Sequence, residues 1–257
     1  MSRTAFLTLI CRAVVSEQEK AVFHDPMAVL CLERLLESVP EEERRWISKE
    51  KRVFGGFQRE HAIAGMRRVK IFDEAARRFI ADHPQCTVVN LGCGFDTRFW
   101  RIANENCRYM EVDLPEVVAL KRDVLKDQAG YEMIGCSVLD DAWMEQVTAR
   151  GNSQCLLLAE GLFSYIPRPQ AMELFQRLCK RFVRSQIVLD MVPESYTRGF
   201  WKWLFGLETR YTWGLDVAWV AGIKHPDDLE VYAPGLRLLG AEKAAGGPIM
   251  SLAINEG

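Results

Sequence analysis

The chain has 257 residues, 49% of them hydrophobic, enough to bury one full α/β core and short for two domains. Its 33 basic and 35 acidic residues leave a formal charge of -2, so no global field recruits nucleic acid or an anionic membrane. No stretch reaches the roughly 18 apolar residues of a membrane span, and Arg12 interrupts the apolar run Ala5 to Cys11 with no cleavage signal after it, so a cytoplasmic protein is expected.

In chain order, the first 83 residues read as helices. Leu7, Ile10, Cys11, Val14 and Val15 recur at helical spacing, Asp25-Pro26 forms an N-cap and first turn for a helix through Leu36, and Pro40 opens another. Basic clusters at Lys49 to Arg52, Arg67-Arg68 and Arg77-Arg78 are, on composition alone, solvated helix faces. The pattern then changes to strand-like segments at Cys86 to Leu91, Arg108 to Val112, Glu132 to Cys136, Cys155 to Ala159, Gln186 to Met191 and Ile249 to Ile254. Their alternation with helical sequence predicts a mostly parallel, doubly wound α/β sheet of Rossmann-like kind carrying an N-terminal helical extension. One domain is expected: extension 1–83, cofactor-binding core 84–192, a helical aromatic cap 193–230 and terminal strands 231–257.

Eight cysteines show no C-x-x-C pairing and four histidines are scattered. Buried small hydrophobes explain the former, and no metal is expected.

The segment Thr87 to Arg101, TVVNLGCGFDTRFWR, carries the chemistry. A buried strand runs into Gly92-Cys93-Gly94, where missing side chains let the backbone turn and approach a ligand. Asp113 follows 21 positions after Gly92, at the end of a second strand, where a carboxylate accepts hydrogen bonds from ribose hydroxyls. A dinucleotide fingerprint wants a third glycine to seat a pyrophosphate on a helix N-terminus. That position is Thr97, preceded by Asp96, an anion expected to repel a diphosphate. An adenosine cofactor without phosphates, S-adenosylmethionine, fits; an NAD-dependent oxidoreductase is the rival enzyme reading, and a non-catalytic cofactor-binding protein the third.

These residues, with HDP at His24 to Pro26, RRVKIFDE at Arg67 to Glu74, EVDLP at Glu111 to Pro115 and AEGLFSYI at Ala159 to Ile166, resemble the leucine carboxyl methyltransferase family of S-adenosylmethionine-dependent O-methyltransferases, including its bacterial polyketide-type branch. The resemblance implies that the cofactor's methionine carboxylate is held by Arg68, with a weaker match at Arg12. It further implies a backbone turn at Gly92 and Gly94 beneath it, ribose on Asp113 beside Leu114, adenine near Ser137 and Val138, and Glu160 in the same cofactor site with Tyr165 lining the active site. Where relatives carry Asp-Leu beside the adenine, this chain has Ser137-Val138, which hydrogen-bonds without the strength of a charged acceptor.

A sulfonium methyl is already activated, so transfer needs a positioned nucleophile and a dry site. A carboxylate acceptor needs no base, whereas a phenol or alcohol does; this favours a methyl ester of a small molecule or peptide over hydroxyl methylation of a polyketide-like aromatic. Tyr196, Phe200, Trp201, Trp203, Phe205, Tyr211, Trp213 and Trp219 concentrate aromatic residues in one segment, expected either to cap an apolar acceptor pocket or to pack as a helical hairpin.

Overall fold

Alternating side chains of seven strands divide the apolar residues between two faces of one sheet. The computed structural model describes residues 3–19, 21–149, 151, 154–213, 219–244 and 246–256; side chains at 127, 201, 205, 208 and 211–213 lie outside that description. The strands are β1 (Cys86–Leu91), β2 (Cys107–Asp113), β3 (Glu132–Gly135), β4 (Cys155–Ala159), β5 (Ser185–Asp190), β6 (Leu236–Ala244) and β7 (Gly247–Ile254). Their spatial order is β3-β2-β1-β4-β5-β7-β6. The first five are parallel, and β7 runs antiparallel between β5 and β6.

The helices follow from capping and periodicity. They are α1 (Arg3–Ser16), α2 (Pro26–Ser38), α3 (Glu41–Gly55), α4 (Arg59–Asp82), α5 (Phe99–Ile102), α6 (Pro115–Leu125), α7 (Ala142–Thr148), α8 (Arg168–Arg181) and α9 (Gly199–Trp213). Asp25 caps α2 by accepting from the Ala28 N–H at 3.0 Å, as its sequence signature requires. In α1 the buried stripe is Phe6, Leu9, Ile10, Ala13 and Val14, with Val15 beside it; Leu7 and Cys11 are only half-buried, so the helix is rotated by part of a turn from the expected face. Strand β6 was legible only as part of a terminal strand region. Its face alternates poorly, and most of its residues are exposed or half-buried.

Val89, Leu91, Leu157, Ala159, Ile187 and Leu189 pack with Trp143, Leu174, Phe175 and Leu178 of α7 and α8. Val88, Leu156, Leu158 and Val188 pack on the other face with Phe72, Ala76 and Phe79 of α4. The N-terminal helices form their own cluster, which reaches Phe95 and the buried side of α6. Five of the eight cysteines are buried, as small apolar residues would be. Among the described residues no helix is long and apolar enough to cross a membrane.

This topology places the site. Strand order reverses between β1 and β4, and ligands of open α/β sheets bind at the carboxyl ends of the strands beside that reversal. Gly92 follows β1 and Glu160 follows β4, while Asp113 ends β2 and Asp190 ends β5. Phe72, fully buried, ties α4 to the sheet beneath this edge. Phe72→Ala is expected to destabilise the protein by about 3–5 kcal/mol, measured as a lowered urea midpoint at unchanged slope.

Candidate active site

Gly92 has φ +61, and a Cβ there would lie 2.9 Å from Leu162 Cδ1, so the turn requires glycine both for its backbone and for its space. The chain then reverses over β2. Gly92 N–H donates to the Val112 carbonyl at 2.8 Å, and Gly94 N–H donates to Asp113 Oδ2 at 2.6 Å. Asp113 Oδ1 accepts from the Leu114 N–H at 2.7 Å. Two backbone amides thus aim the carboxylate, yet each oxygen keeps acceptor capacity. Burial raises the Asp113 pKa above the ordinary aspartate value, and the two amides only partly offset it.

Across the reversal, Glu160 stands between two arginines. Arg68 Nε donates to Glu160 Oε1 at 3.0 Å, and Arg98 donates to Glu160 Oε2 at 2.6 Å. Arg68 also reaches Asp190 Oδ2 at 3.3 Å, and Asp190 Oδ1 accepts from the Gly161 N–H at 2.6 Å. Burial works against charge at Glu160, but Arg68 and Arg98 outweigh it and hold its pKa below the usual glutamate value. Burial likewise opposes the Arg68 charge, and Glu160 and Asp190 outweigh it. The pair is a fixed cation beside a fixed anion. Such a pair suits a zwitterionic amino acid tail, with carboxylate on the guanidinium and ammonium on the carboxylate.

Arg98 is fully buried. It donates to Asp73 at 2.7 Å, to Asp96 and to Glu160. Arg101 bonds Asp25 at 2.6 Å and Asp73 at 2.7 Å, and Thr97 donates to Asp25. Burial opposes ionisation of Asp96, but Arg98 and Arg101 overcome it and hold its pKa far below the ordinary range. Asp96 therefore faces arginines. Its Oδ1 also accepts the Arg98 N–H at 3.1 Å, so Asp96 is not the bare anion that its local sequence suggests. Beneath the turn, Lys121 pairs with Glu111 at 2.7 Å and donates to the Asp96 carbonyl at 2.6 Å.

The remaining expected residues divide. Arg12 is buried, donates to the Phe95 carbonyl at 2.7 Å and lies 3.7 Å from Asp25, so its guanidinium is directed at the loop after the glycine turn. Ser137 is half-buried, and its hydroxyl accepts from the Leu139 N–H at 3.1 Å, which shapes the loop. Val138 is buried and takes the Trp143 indole N–H on its carbonyl at 3.0 Å, while Leu114 is exposed. Tyr165 is 39% exposed, and partial desolvation raises its pKa above the ordinary tyrosine value while a hydrogen bond with Trp219 works the other way. Trp219 stacks on Tyr196 at 6.4 Å between centroids. Ser164 fixes this wall: its hydroxyl accepts from Val192 N–H, and its carbonyl accepts from Val220 and Ala221 N–H.

Of the other cap aromatics, Phe200 and Trp203 face solvent at 65% and 59% exposure, and Trp203 borders an open groove of about 410 Å³ with Lys202 and Arg210; the side chains of Trp201, Phe205, Tyr211 and Trp213 lie outside the described residues. Sequence reasoning missed Asp25, Asp73, Arg98, Arg101 and Asp190 as parts of the site. A signal existed for Asp73, an acid within the apolar stripe of α4. A groove of about 580 Å³ shares Asp25, Asp73 and Arg101 with the ion-pair network but none of Arg68, Asp113 or Glu160.

The chain matches the leucine carboxyl methyltransferase family model over residues 5–179, and it belongs to that family. It is 33% identical over 171 residues to the tetracenomycin polyketide synthesis O-methyltransferase TcmP of Streptomyces glaucescens, covering 66% of this chain and 60% of that protein. It is 24% identical over 250 residues to the S-adenosyl-L-methionine-dependent methyltransferase dpfgK of Gibberella zeae, covering 91% and 79%. The chain thus spans about three fifths of the length of TcmP. Among solved structures, a putative methyltransferase from Thermobifida fusca superposes with TM-score 0.57 at 13% identity, covering 88% of this chain and 94% of that one; this likeness is one of fold.

Arg98→Met removes one counter-ion from each of Asp73, Asp96 and Glu160, leaving Arg101 and Arg68 as their remaining cations, and is expected to cost about 3 kcal/mol, seen in equilibrium urea unfolding. The stabilisation from Asp96 has a defined acid limit. Its folded pKa lies below the unfolded value of about 3.9, so this contribution is complete above about pH 5 and is lost as pH falls through the carboxylate range. A pH series of unfolding midpoints should show the wild type losing stability there, with a smaller loss in Asp96→Asn.

Proposed function

We propose that the protein is an S-adenosylmethionine-dependent O-methyltransferase whose acceptor oxygen belongs to a carboxylate of a small molecule or peptide, so that the product is a methyl ester. The observation that carries the cofactor assignment is the gathering of Arg68, Glu160, Asp113 and the Gly92–Gly94 turn at the strand-order reversal between β1 and β4. Arg68 and Glu160 match the carboxylate and ammonium of the methionine tail, and Asp113 matches the ribose diol. Ser137 and Val138 stand after β3, where the adenine would lie. The likeness to TcmP, an O-methyltransferase, and to dpfgK, an S-adenosyl-L-methionine-dependent methyltransferase, supports the cofactor and the reaction class and leaves the acceptor open.

When bound, S-adenosylmethionine supplies a methyl group on a sulfonium, activated toward an oxygen nucleophile in line with the breaking bond. The residues of this chain then have two tasks. Arg68, Glu160 and Asp113 hold the two ends of the cofactor still, which supplies proximity rather than bond chemistry. Tyr165, Trp219 and Tyr196 form a partly exposed aromatic wall against which an acceptor would be oriented. A tyrosine phenol such as that of Tyr165 is protonated near neutral pH and is a poor base there. An ionised carboxylate needs none, and this favours the ester over an ether. The alternative, methylation of a hydroxyl on a polyketide-like aromatic, draws on the likeness to TcmP and on the aromatic wall.

S-adenosylhomocysteine at 100 times its Kd should stabilise the fold by about 2.7 kcal/mol, with NAD giving no shift. Asp113→Ala should weaken that binding roughly tenfold or more, since a charge-assisted contact to ribose is lost. Labelled methyl transfer to a panel of carboxylic acids and phenols should yield a product hydrolysed by alkali; an alkali-stable product would establish the ether reading instead.

A further inference from the structure

Asp190 belongs to no motif used above, yet its carboxylate ends β5 inside the site and touches two of its parts. Oδ1 accepts from the Gly161 N–H at 2.6 Å, and Oδ2 lies 3.3 Å from Arg68 Nη1. Gly161 has φ +68, so Asp190 fixes the turn that carries Glu160 away from β4. Arg68 therefore stands between two carboxylates. A cofactor tail that brings a third carboxylate to the same guanidinium meets repulsion from both, and one of them must give way.

The geometry decides which. Glu160 is gripped from behind by Arg98 at 2.6 Å, and Arg98 is immobilised by Asp73 and Asp96 in a fully buried position. Glu160 also has a task in the bound state, as partner of the tail's ammonium. Asp190 has a longer contact with Arg68, and its other oxygen is already satisfied by a backbone amide. Burial holds the Asp190 pKa above the ordinary aspartate value despite Arg68, so its charge is the more easily given up.

We infer that Asp190 is a place-holding counter-ion: it neutralises Arg68 in the free protein and is displaced from that guanidinium by the carboxylate of the incoming cofactor. It is a positioning residue with two separable parts, the turn held by Oδ1 and the charge presented by Oδ2. Asparagine keeps an acceptor for Gly161 and removes the charge, whereas alanine removes both.

The inference rests on the assignment of Arg68 to the cofactor carboxylate, and the experiment separates the two. Calorimetric Kd values are measured for S-adenosylhomocysteine, which has the amino acid tail, and for 5′-methylthioadenosine, which lacks it. Asp190→Asn should tighten S-adenosylhomocysteine about threefold to fivefold, the scale of a partly screened ion pair, and leave 5′-methylthioadenosine unchanged. Asp190→Ala should lower the melting temperature while still favouring the tailed ligand relative to the tailless one. If Arg68→Ala leaves S-adenosylhomocysteine affinity unchanged, the Arg68 assignment fails and the inference fails with it. If Arg68→Ala weakens the tailed ligand alone but Asp190→Asn does not tighten it, or weakens both ligands equally, Asp190 does not compete for Arg68 and only the inference is overturned.

Discussion

The fully buried guanidinium of Arg98 is the point on which the site depends. It joins Asp73 of α4, Asp96 of the loop after the glycine turn, and Glu160 at the end of β4. These three carboxylates come from segments far apart in the chain, and none could be buried as an anion alone. Arg101 extends the arrangement to Asp25 at the cap of α2. One ion-pair network therefore fastens the N-terminal helices to the sheet at the edge where the cofactor residues emerge.

Such a network is weak evidence for stability, because desolvating the charges offsets much of their attraction. Its value here is geometric. Arg68 and Arg98 together keep Glu160 ionised, and Arg98 holds it from the side opposite Arg68. The same network satisfies the Arg98 amide at the start of α5 through Asp96. The Lys121–Glu111 pair serves the turn in a similar way from below, through the Asp96 carbonyl.

Much of this was legible in the sequence, for identifiable reasons. Apolar strands at β1, β4 and β5 and the Asp25-Pro26 cap are local signals, and they gave the α/β architecture and the order of elements. Gly92, Gly94 and Asp113 followed from a spacing with a mechanical meaning. Arg68 and Glu160 needed the family resemblance, because an arginine on a helix and an acid after a strand are ordinary in isolation. Asp25, Asp73, Arg98 and Arg101 stood inside recognised motifs, but their mutual pairing is long-range and no local pattern encodes it. Asp96 shows the cost: read locally it is a repelling anion, and in the fold it is a neutralised ligand of arginines. Asp190 carried no signal beyond its place at a strand end. The aromatic segment was visible by composition, yet composition could not tell Tyr196 and Trp219, which join the wall at Tyr165, from Phe200 and Trp203, which face solvent.

On the proposed reading, methyl transfer asks little of side chains beyond holding two partners still, a task divided between the ion-paired edge of the sheet and the aromatic wall. Ser164 links them by tying the turn after β4 to the segment that leaves the cap. The most direct measurement is a crystal structure of the complex with S-adenosylhomocysteine. The account predicts the tail carboxylate on Arg68, the ammonium on Glu160, the ribose on Asp113, and the Arg98 contacts with Asp73, Asp96 and Glu160 unchanged. A ligand bound away from these residues, or a complex in which Arg98 has let go of Glu160, would contradict it.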